Sequence, residues 1–395
     1  MALYKRLPRS SALPMPDTSL LPDSLLLNGR EFRYADIKQY PADSPVDLNG
    51  YEAKVLDFCR QWLNGTLEFG LQTSGSTGEP QRIQLRRQQL AASAHRTGDY
   101  FDLGPGDRML VCLNCEYVGG LMMLVRGLEL NLHLTIVEPH ADPLALVPPG
   151  AAFDFASFVP LQLRTVLENG HAARLNKMKA VLVGGAAVES GLARAAQALT
   201  VPVYHTYGMT ETASHIALRR LNGPDASLTY KVLPGIHVEQ DERGCLAVRA
   251  DVTNDQLIVT NDQVRLLPEE HAFEWLGRAD FVINSGGVKV QAEKVEQVLE
   301  VALAELNLPP RRTFVTARPD ERLGEQVTAF LEGAPLSSMQ SEQLLALLTE
   351  RLGRYERPRE LVFVPQFETT ASGKLDRRAT LKAALAAGGA GRGNQ

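Results

Sequence analysis

The sequence predicts an α/β protein: a large layered α/β N-terminal domain that includes a small β part, followed by a small α+β C-terminal domain. The chain has 395 residues, more than one ordinary hydrophobic core accommodates, so two or more domains are expected. Segments typical of strands and helices alternate as far as Tyr204, which favours a parallel, layered sheet. Beyond Arg278 a separate set of strands and helices follows, enough for a compact second domain.

The alternating elements of the first domain follow from two patterns. Apolar residues at helical spacing predict helices over 51–64, 86–100, 120–130, 161–169 and 190–198. Short apolar runs predict strands over 24–27, 108–113, 133–137, 153–158, 180–183 and 201–204. In parallel sheets the carboxyl ends of the strands line the ligand crevice. Gly184, Gly185 and the segment after Tyr204 fall at such ends.

The later elements have a different organisation. From Ile236 the pattern changes to short strands, over 245–248 and 256–259. After Arg278 the predicted order is a strand, a helix over 291–306, strands over 313–317 and 327–331, a helix over 341–352 and a strand over 361–364. We therefore expect an N-terminal domain over 1–279 and a C-terminal domain over 280–395.

The composition excludes some partner classes. The hydrophobic content of 44% and charged content of 22% are typical of a globular protein. A net charge of −5 gives no electrostatic reason to expect nucleic acid or an anionic membrane. No stretch approaches the roughly 20 apolar residues of a membrane span, and prolines interrupt the N-terminus where a signal peptide needs an apolar run. We expect a cytoplasmic protein without nucleic-acid or membrane partners.

The cysteines fit a reducing compartment. Cys112 and Cys115 form a C-x-x-C pair, which raises zinc or redox chemistry. Zinc would need a second pair, and Cys59 and Cys245 are isolated. Because Cys112 lies in a predicted buried strand, we expect buried core thiols.

A glycine- and hydroxyl-rich run is the first functional signal. It comprises Thr73, Ser74, Gly75, Ser76, Thr77 and Gly78. Glycine frees backbone N–H groups to form a concave anion cradle, to which hydroxyls add donors. The alternative is a flexible linker, but the run falls between two predicted helices, so we expect a phosphate loop. It lacks the ending of a Walker A sequence.

Two further stretches carry carboxylates. Thr210 and Glu211 follow Tyr207 and Gly208, and a hydroxyl beside a carboxylate can hold Mg²⁺ against phosphate oxygens. A helix start capped by Thr210 is an equal alternative. Asp262 follows a predicted strand and could accept ribose hydroxyls, although an aspartate in a surface turn is the simpler interpretation.

The remaining two stretches lie at the start and near the end of the predicted second domain. One runs from Gly277 to Val290 and includes Arg278. The other, Thr370 to Leu375, contains Lys374 after a Ser-Gly pair. Taken alone, a lysine there is typical of a solvated side chain.

In sequence order, these five stretches together resemble the superfamily of adenylate-forming enzymes, from about Leu71 to Arg378. Members activate a carboxylic acid with ATP to an acyl-adenylate and pass the acyl group to a thiol. The resemblance implies ATP and Mg²⁺, coenzyme A as co-substrate, a small-molecule carboxylic acid, and a C-terminal domain that acts as a mobile lid. It leaves a homodimer open.

The resemblance also implies roles for individual residues. Lys374, Thr210 and Glu211 match catalytic positions, Glu211 matches the metal ligand, and Asp280 falls at the interdomain hinge. The nucleotide- and CoA-binding positions match Thr73, Ser74, Gly75, Ser76, Thr77, Gly78, Gly184, Gly185, Ala186, Tyr207, Gly208, Asp262, Arg278, Gly286 and Gly287.

The chain departs from the family pattern in two places. Relatives usually have lysine directly after the proline of the loop, whereas this chain has Gln81 followed by Arg82. Either Arg82 supplies the missing charge or pyrophosphate handling is weaker. The region before the loop is also short, so the usual first subdomain must be trimmed.

The acid is suggested by a narrower resemblance, to the o-succinylbenzoate–CoA ligases of menaquinone biosynthesis. It rests on the short N-terminal region and on residues 116–126 and 211–220. It implies a pocket with Tyr117 and Gly119 in its wall and Ser214 and His215 at its polar end, where a surface helix face is the alternative for His215. Other aryl- or medium-chain acyl-CoA ligases, and a non-catalytic nucleotide-binding relative, remain alternatives.

Overall fold

The computed structural model describes residues 21–40, 48–72, 82–309, 311–369 and 375–386. Its helices are α1 (Tyr34–Lys38), α2 (Gly50–Leu63), α3 (Arg87–Phe101), α4 (Val118–Glu129), α5 (Pro160–Glu168), α6 (Ala172–Leu175), α7 (Ser190–Ala196), α8 (Ala292–Glu305), α9 (Ser338–Arg351) and α10 (Arg377–Ala386). Among the residues described, no helix has the length and apolar character needed to cross a membrane.

The first half of the strands belongs to the large sheet and one hairpin. These are β1 (Ser24–Leu27), β2 (Arg30–Arg33), β3 (Glu68–Gln72), β4 (Arg82–Arg86), β5 (Arg108–Val111), β6 (His133–Ile136), β7 (Phe155–Phe158), β8 (Ala180–Val183), β9 (Val203–Met209) and β10 (Ser214–Arg220).

The second half completes the large sheet and forms the C-terminal sheet. These are β11 (Thr229–Val232), β12 (His237–Gln240), β13 (Cys245–Arg249), β14 (Ile258–Leu267), β15 (Ala272–Arg278), β16 (Val282–Ser285), β17 (Val288–Gln291), β18 (Thr313–Asp320), β19 (Gly324–Glu332) and β20 (Glu360–Val364).

A 13-stranded sheet dominates the described residues, with the order β12-β13-β14-β15-β11-β10-β9-β8-β7-β5-β6-β1-β2. Its centre is parallel, from β9 through β8, β7, β5 and β6 to β1. Every residue of β7 and β8 is buried, as expected for parallel strands covered by helices on both faces. From β10 to β12 the pairing is antiparallel.

The C-terminal residues form a second sheet, ordered β17-β16-β19-β18 with β20 paired to β19. Its main core joins Val290, Val295, Leu299, Leu344 and Leu348 from one hairpin strand and from α8 and α9. A smaller apolar cluster on the sheet includes stacked Phe314 and Phe330, whose ring centres are 4.7 Å apart. These clusters contain no residue of the large sheet's clusters. The predicted α/β class with a smaller α+β part is confirmed.

The structure corrects two local expectations. The glycine-rich run was expected between two helices, but strands β3 and β4 flank it, paired with Leu71 opposite Ile83. Each strand has five residues and places apolar side chains at alternate positions, Phe69 and Leu71 in β3 and Ile83 and Leu85 in β4. This period of two was the signal that the sequence interpretation overlooked. Asp262 was expected at a strand end, but it lies within β14. Pairing with β15 continues that strand through the polar Thr-Asn-Asp-Gln segment.

The cysteines are all buried free thiols, as the sequence predicted. Burial is the main cause that raises the pKa values of Cys59, Cys112 and Cys115. Among the described residues, no group of three or more histidine, cysteine or acidic side chains is arranged to hold a metal ion. The C-x-x-C pair therefore belongs to the core.

Candidate nucleotide and acyl site

The carboxyl ends of β8 and β9 form a site with exposed backbone. Gly184 directly follows β8, and a Cβ there would lie 2.2 Å from Thr206 Oγ1. Gly185 has a φ of +83°, a conformation that glycine adopts without strain. Both glycines therefore leave main chain, rather than side chains, beside the end of β9.

A buried histidine fixes the backbone beyond these glycines. His205 Nε2 lies 3.1 Å from the Ala186 carbonyl oxygen, and its Nδ1 lies 2.7 Å from the Tyr230 hydroxyl. Burial and the nearby Arg219 charge lower the pKa of His205 to about 4. The two contacts fit a neutral imidazole that donates from Nε2 and accepts at Nδ1. Ala186 is thereby held at the sheet edge.

Gly208 sits where β9 and β10 come closest. It pairs with His215, and a Cβ on it would lie 2.1 Å from the Ser214 carbonyl oxygen and 2.5 Å from His215 Cα. Backbone atoms cannot yield as a flexible side chain can. A residue without a side chain is required here to bring the β9 end next to the start of β10.

Asp262 lies at the centre of the polar cluster. Its Oδ2 accepts a hydrogen bond of 2.7 Å from the Tyr207 hydroxyl, and its Oδ1 accepts one of 3.2 Å from Trp275 Nε1. Arg278 pairs with Asp262 across β14 and β15, with its guanidinium 3.8 Å from Oδ1. The carboxylate is thus oriented by two neutral donors and one cation.

Tyr207 presents a fixed ring next to this carboxylate. Its ring packs edge-on against Phe273 and Tyr230, at centroid distances of 5.1 Å and 5.7 Å. Burial and the Asp262 charge raise the pKa of Tyr207 well above its usual value. The phenol therefore stays protonated and remains a donor to Asp262.

Arg278 connects the cluster to Asp280 and to Glu293 of α8. Its guanidinium pairs with Asp280 at 2.6 Å, and its backbone N–H donates to Glu293 Oε1 at 3.1 Å. Burial raises the pKa of Glu293 to about 7. Gly277 precedes Arg278 with a φ of +143°, and a Cβ there would lie 2.6 Å from Glu293 Oε2. The chain therefore leaves β15 through a tight, polar contact with α8.

Thr210 and Glu211 lie in a short 3₁₀ turn between β9 and β10. Met209 N–H donates to Thr212 Oγ1 at 3.1 Å and closes the turn. Thr210 is buried, whereas Glu211 is half-buried, and no described residue hydrogen-bonds its carboxylate. Because Mg²⁺ is commonly held by one or two carboxylates together with substrate phosphates, a single open carboxylate fits that role.

The predicted acyl-pocket residues come from α4 and β10. Tyr117 precedes α4, and Gly119 lies in its first turn facing Leu113, which an added Cβ would contact at 3.6 Å. Ser214 and His215 begin β10, so the surface-helix alternative for His215 is wrong. His215 is buried, and burial together with the charge of Arg126 lowers its pKa well below the usual value.

Sequence reasoning missed Arg126, the residue that joins these two elements. It lies on α4 with 2% of its surface exposed, and its NH2 group lies 3.0 Å from Ser214 Oγ and 3.4 Å from His215 Nδ1. Its Nε has no hydrogen-bond partner, and no described carboxylate forms an ion pair with it. The detectable signal was an arginine in a helix whose other residues, apart from the final Glu129, are apolar or glycine. Arginine is a residue type that is almost never fully buried unless paired.

Burial lowers the pKa of Arg126 to about 9, so the side chain still carries its charge at neutral pH. An unpaired buried charge is costly unless something compensates it. The cluster of Arg126, Ser214 and His215 is therefore chemically suited to receive an anionic group.

The described residues bring together only part of the predicted site. Tyr207, Asp262 and Arg278 form one contact network, while Ser214 and His215 form another with Arg126. Gly286 and Gly287, both with positive φ, turn the β16–β17 hairpin. A Cβ on Gly286 would meet Tyr355 and Leu323 of the same domain. Outside the described residues lie Thr73, Ser74, Gly75, Ser76, Thr77, Gly78, Gln81 and Lys374.

Comparisons with known proteins agree with this arrangement. Residues 70–246 match the AMP-binding enzyme family, and residues 299–374 match the AMP-binding enzyme C-terminal domain. The 2-succinylbenzoate–CoA ligase of Lactococcus lactis is 25% identical over 391 residues, covering 90% of this chain and 84% of that protein. The enzyme of the same name from Bacillus cereus is 27% identical over 415 residues, covering 95% and 81%.

Two solved structures show the same fold. An acyl-CoA synthetase (AMP-forming)/AMP-acid ligase II-like protein from Dyadobacter fermentans is 45% identical, with a TM-score of 0.58, over 88% of this chain and 97% of that one. The o-succinylbenzoate coenzyme A synthetase of Bacillus subtilis, in complex with ATP and magnesium, is 21% identical with a TM-score of 0.66, over 79% and 69%. The chain therefore belongs to the AMP-binding enzyme family.

Proposed function

We propose that this protein is an ATP-dependent carboxylic acid–CoA ligase that acts through an acyl-adenylate, and that its acid is o-succinylbenzoate. The observation that carries the proposal is the oriented Asp262 carboxylate beside the Tyr207 ring, at the carboxyl edge of the parallel sheet. That edge is where α/β sheets bind their ligands.

The nucleotide half of the site follows from the chemistry of its donors and acceptors. Asp262 would accept the ribose hydroxyls, and Arg278 would contact the same sugar. Adenine would stack on Tyr207 and lie along the bare backbone of Gly184, Gly185 and Ala186. Thr73 to Gly78 would hold the phosphates, with Thr210 contacting them as well.

The reaction needs positive charge, because a carboxylate must attack a phosphorus already surrounded by negative charge. A bound Mg²⁺ supplies part of that charge, and Glu211 is the residue that would hold it. Lys374 supplies the rest by bridging the attacking carboxylate and the α-phosphate. This is electrostatic stabilisation combined with positioning.

The second half-reaction transfers the acyl group to coenzyme A. We place the domain boundary at 279/280, with residues 280–395 as a lid that turns about Asp280. Glycines at 286 and 287 would leave room for the narrow pantetheine arm. A cytoplasmic location fits the four free thiols, and sedimentation analysis would distinguish a monomer from a homodimer.

The choice of acid rests on Arg126. o-Succinylbenzoate carries a second carboxylate on its aromatic ring, and the cluster of Arg126, Ser214 and His215 offers a buried cation with hydrogen-bonding neighbours. Charge-assisted hydrogen bonds to a carboxylate are the strong class. Tyr117 and Gly119, from the same helix region, would form the pocket wall.

The test of the proposal is pyrophosphate release by the purified protein with ATP, Mg²⁺ and a panel of acids. We expect o-succinylbenzoate to give the highest kcat/KM, with AMP and the CoA thioester as products once CoA is added. Turnover of fatty or simple aromatic acids without o-succinylbenzoate would identify another acyl- or aryl-CoA ligase. ATP binding without turnover of any acid would identify a non-catalytic relative.

Replacing the buried cation is expected to change selectivity rather than stability. Arg126→Met should raise KM for o-succinylbenzoate roughly 30-fold or more, the usual cost of removing one partner of a buried charge pair. An analogue that lacks the ring carboxylate should be used by both forms with similar kcat/KM. The melting temperature should not fall, because an apolar side chain replaces an unpaired buried charge.

The analogue is the control for this substitution. If Arg126→Met lowers kcat/KM equally for o-succinylbenzoate and the analogue, Arg126 supports the fold and does not recognise the second carboxylate.

A further inference from the structure

Arg377, the first residue of α10, forms a two-point ion pair that joins this helix to α8. Its two terminal nitrogens lie 2.8 Å and 2.9 Å from the two carboxylate oxygens of Glu296. Glu296 Oε1 also accepts the backbone N–H of Val315 at 2.7 Å. The pair therefore ties α8, β18 and the start of α10 to one carboxylate.

The position of the Arg377 charge, at the N-terminus of α10, does not stabilise that helix. A cation in the first turn opposes the helix dipole, which favours negative charge at that end. Burial raises the pKa of Glu296, and the Arg377 charge acts in the opposite direction. The Arg377 charge therefore opposes the effect of burial on a carboxylate that is mostly buried.

The same guanidinium reaches the residues between the two domains. Arg377 lies over the Phe281 ring, 4.4 Å from its centre. Arg278 approaches the same ring at 5.9 Å, and Arg278 also pairs with Asp280 and faces Asp262. The Phe281 ring therefore contacts both Arg278, which belongs to the nucleotide cluster, and Arg377, which begins α10.

Local bonds hold together the chain on either side of residues 370–374. Thr369 and Leu375 form an antiparallel bridge, and Asp376 N–H donates to the Glu368 carbonyl oxygen at 2.9 Å. Glu368 N–H donates to Thr380 Oγ1, also at 2.9 Å. Lys374 lies outside the described residues and directly precedes Leu375 in the sequence.

We propose that Arg377 is a positioning residue for adenylate formation. Its contacts with Glu296 and Phe281 fix residues 375–377, which directly follow Lys374 in the chain, relative to the proposed hinge at Asp280. This inference rests on the proposed function. The inference goes beyond that function because it assigns a role to a residue that is not expected to contact ATP, the acid or coenzyme A.

The chemistry of the contact requires arginine. The planar guanidinium matches both carboxylate oxygens at once and stacks on an aromatic ring, whereas lysine offers a single point charge. Arg377→Lys keeps the charge beside Glu296 but loses the second hydrogen bond and the stacking. Arg377→Met keeps most of the side-chain length and loses the charge as well.

Two half-reactions measured separately test the inference. Pyrophosphate release reports adenylate formation, and thioester formation from supplied acyl-adenylate bypasses the step that needs Lys374. We expect Arg377→Met to slow the first by roughly 100-fold, the cost of a misplacement of about 1 Å, and Arg377→Lys by roughly 10-fold. The second half-reaction should stay within about twofold of the wild-type rate in both variants.

The matched control is Arg351→Met. Arg351 pairs with Glu305 at 2.6 Å, so it also joins α8 to a neighbouring helix, but it does so at the far end of α8. We expect both half-reactions of this variant to match those of the wild type.

The possible outcomes separate the inference from the function on which it rests. Equal loss of both half-reactions in Arg377→Lys, or wild-type adenylate formation in Arg377→Met, overturns the positioning role. If Arg377→Met does not fold, Arg377→Lys decides the question, because it keeps Glu296 paired with a cation. A wild-type protein that forms no adenylate from any acid overturns the proposed function, and the inference with it.

Discussion

Lys374→Ala is expected to slow adenylate formation by about 100- to 1,000-fold, the usual cost of removing one preorganised charge stabiliser. The reason is that the attacking carboxylate and the α-phosphate are both anions, and the ammonium group neutralises the charge between them. Thioester formation from supplied acyl-adenylate should be retained, since that step no longer involves the triphosphate. Pyrophosphate release and a direct thioester assay measure the two steps.

The control for this substitution is Lys382→Ala. Lys382 is an exposed lysine of α10, eight residues further along the chain, and its removal changes the domain charge by the same amount. The proposed role of Lys374 is wrong if its variant forms adenylate at the wild-type rate, or if both steps fail together in a protein that remains folded.

The second large effect is expected at Asp262. Asp262→Asn keeps the size of the side chain but removes the charge and one acceptor, so the ribose hydroxyls and Arg278 lose an anionic partner. Hydrogen bonds to a charged group contribute about 1.5–3 kcal/mol, which corresponds to a roughly 10- to 100-fold higher Kd for ATP. Calorimetric titration of ATP into the protein measures the change.

Asp57→Asn is the matched control for that titration. Asp57 pairs with Arg60 on the outer face of α2 at 2.6 Å, where an exposed ion pair contributes little. We expect its ATP affinity to equal that of the wild type. Unchanged ATP affinity in Asp262→Asn would remove Asp262 from the nucleotide site.

The parallel core could be predicted from sequence because its strands are buried on both faces. The strand Ala180–Val183 was predicted with its observed bounds, since four consecutive apolar residues followed by two glycines leave few alternatives. Strands β10 and β15 were missed. Both are antiparallel, and β15 mixes apolar, acidic and glycine residues, so its pairing partners rather than its own pattern determine the strand.

Site residues could be predicted from sequence only where they belong to a recognisable motif. The motif residues Tyr207 and Asp262 are 55 positions apart, and nothing in that spacing indicates that their side chains touch. Arg126 ends the stretch 116–126, but the sequence assigns it no role, and its significance emerges only because it is buried and no described carboxylate pairs with it. Likewise, the contact between Arg377 and Phe281 depends on how α10 packs against the residues that follow β15.

The most direct measurement is a crystal structure of the protein with a non-hydrolysable acyl-adenylate mimic. The account predicts that both ribose hydroxyls lie within hydrogen-bonding distance of the Asp262 carboxylate, with adenine against the Tyr207 ring and the acyl group directed towards Arg126. A mimic bound away from the carboxyl ends of β8 and β9, with Asp262 still bonded only to Tyr207 and Trp275, would contradict it.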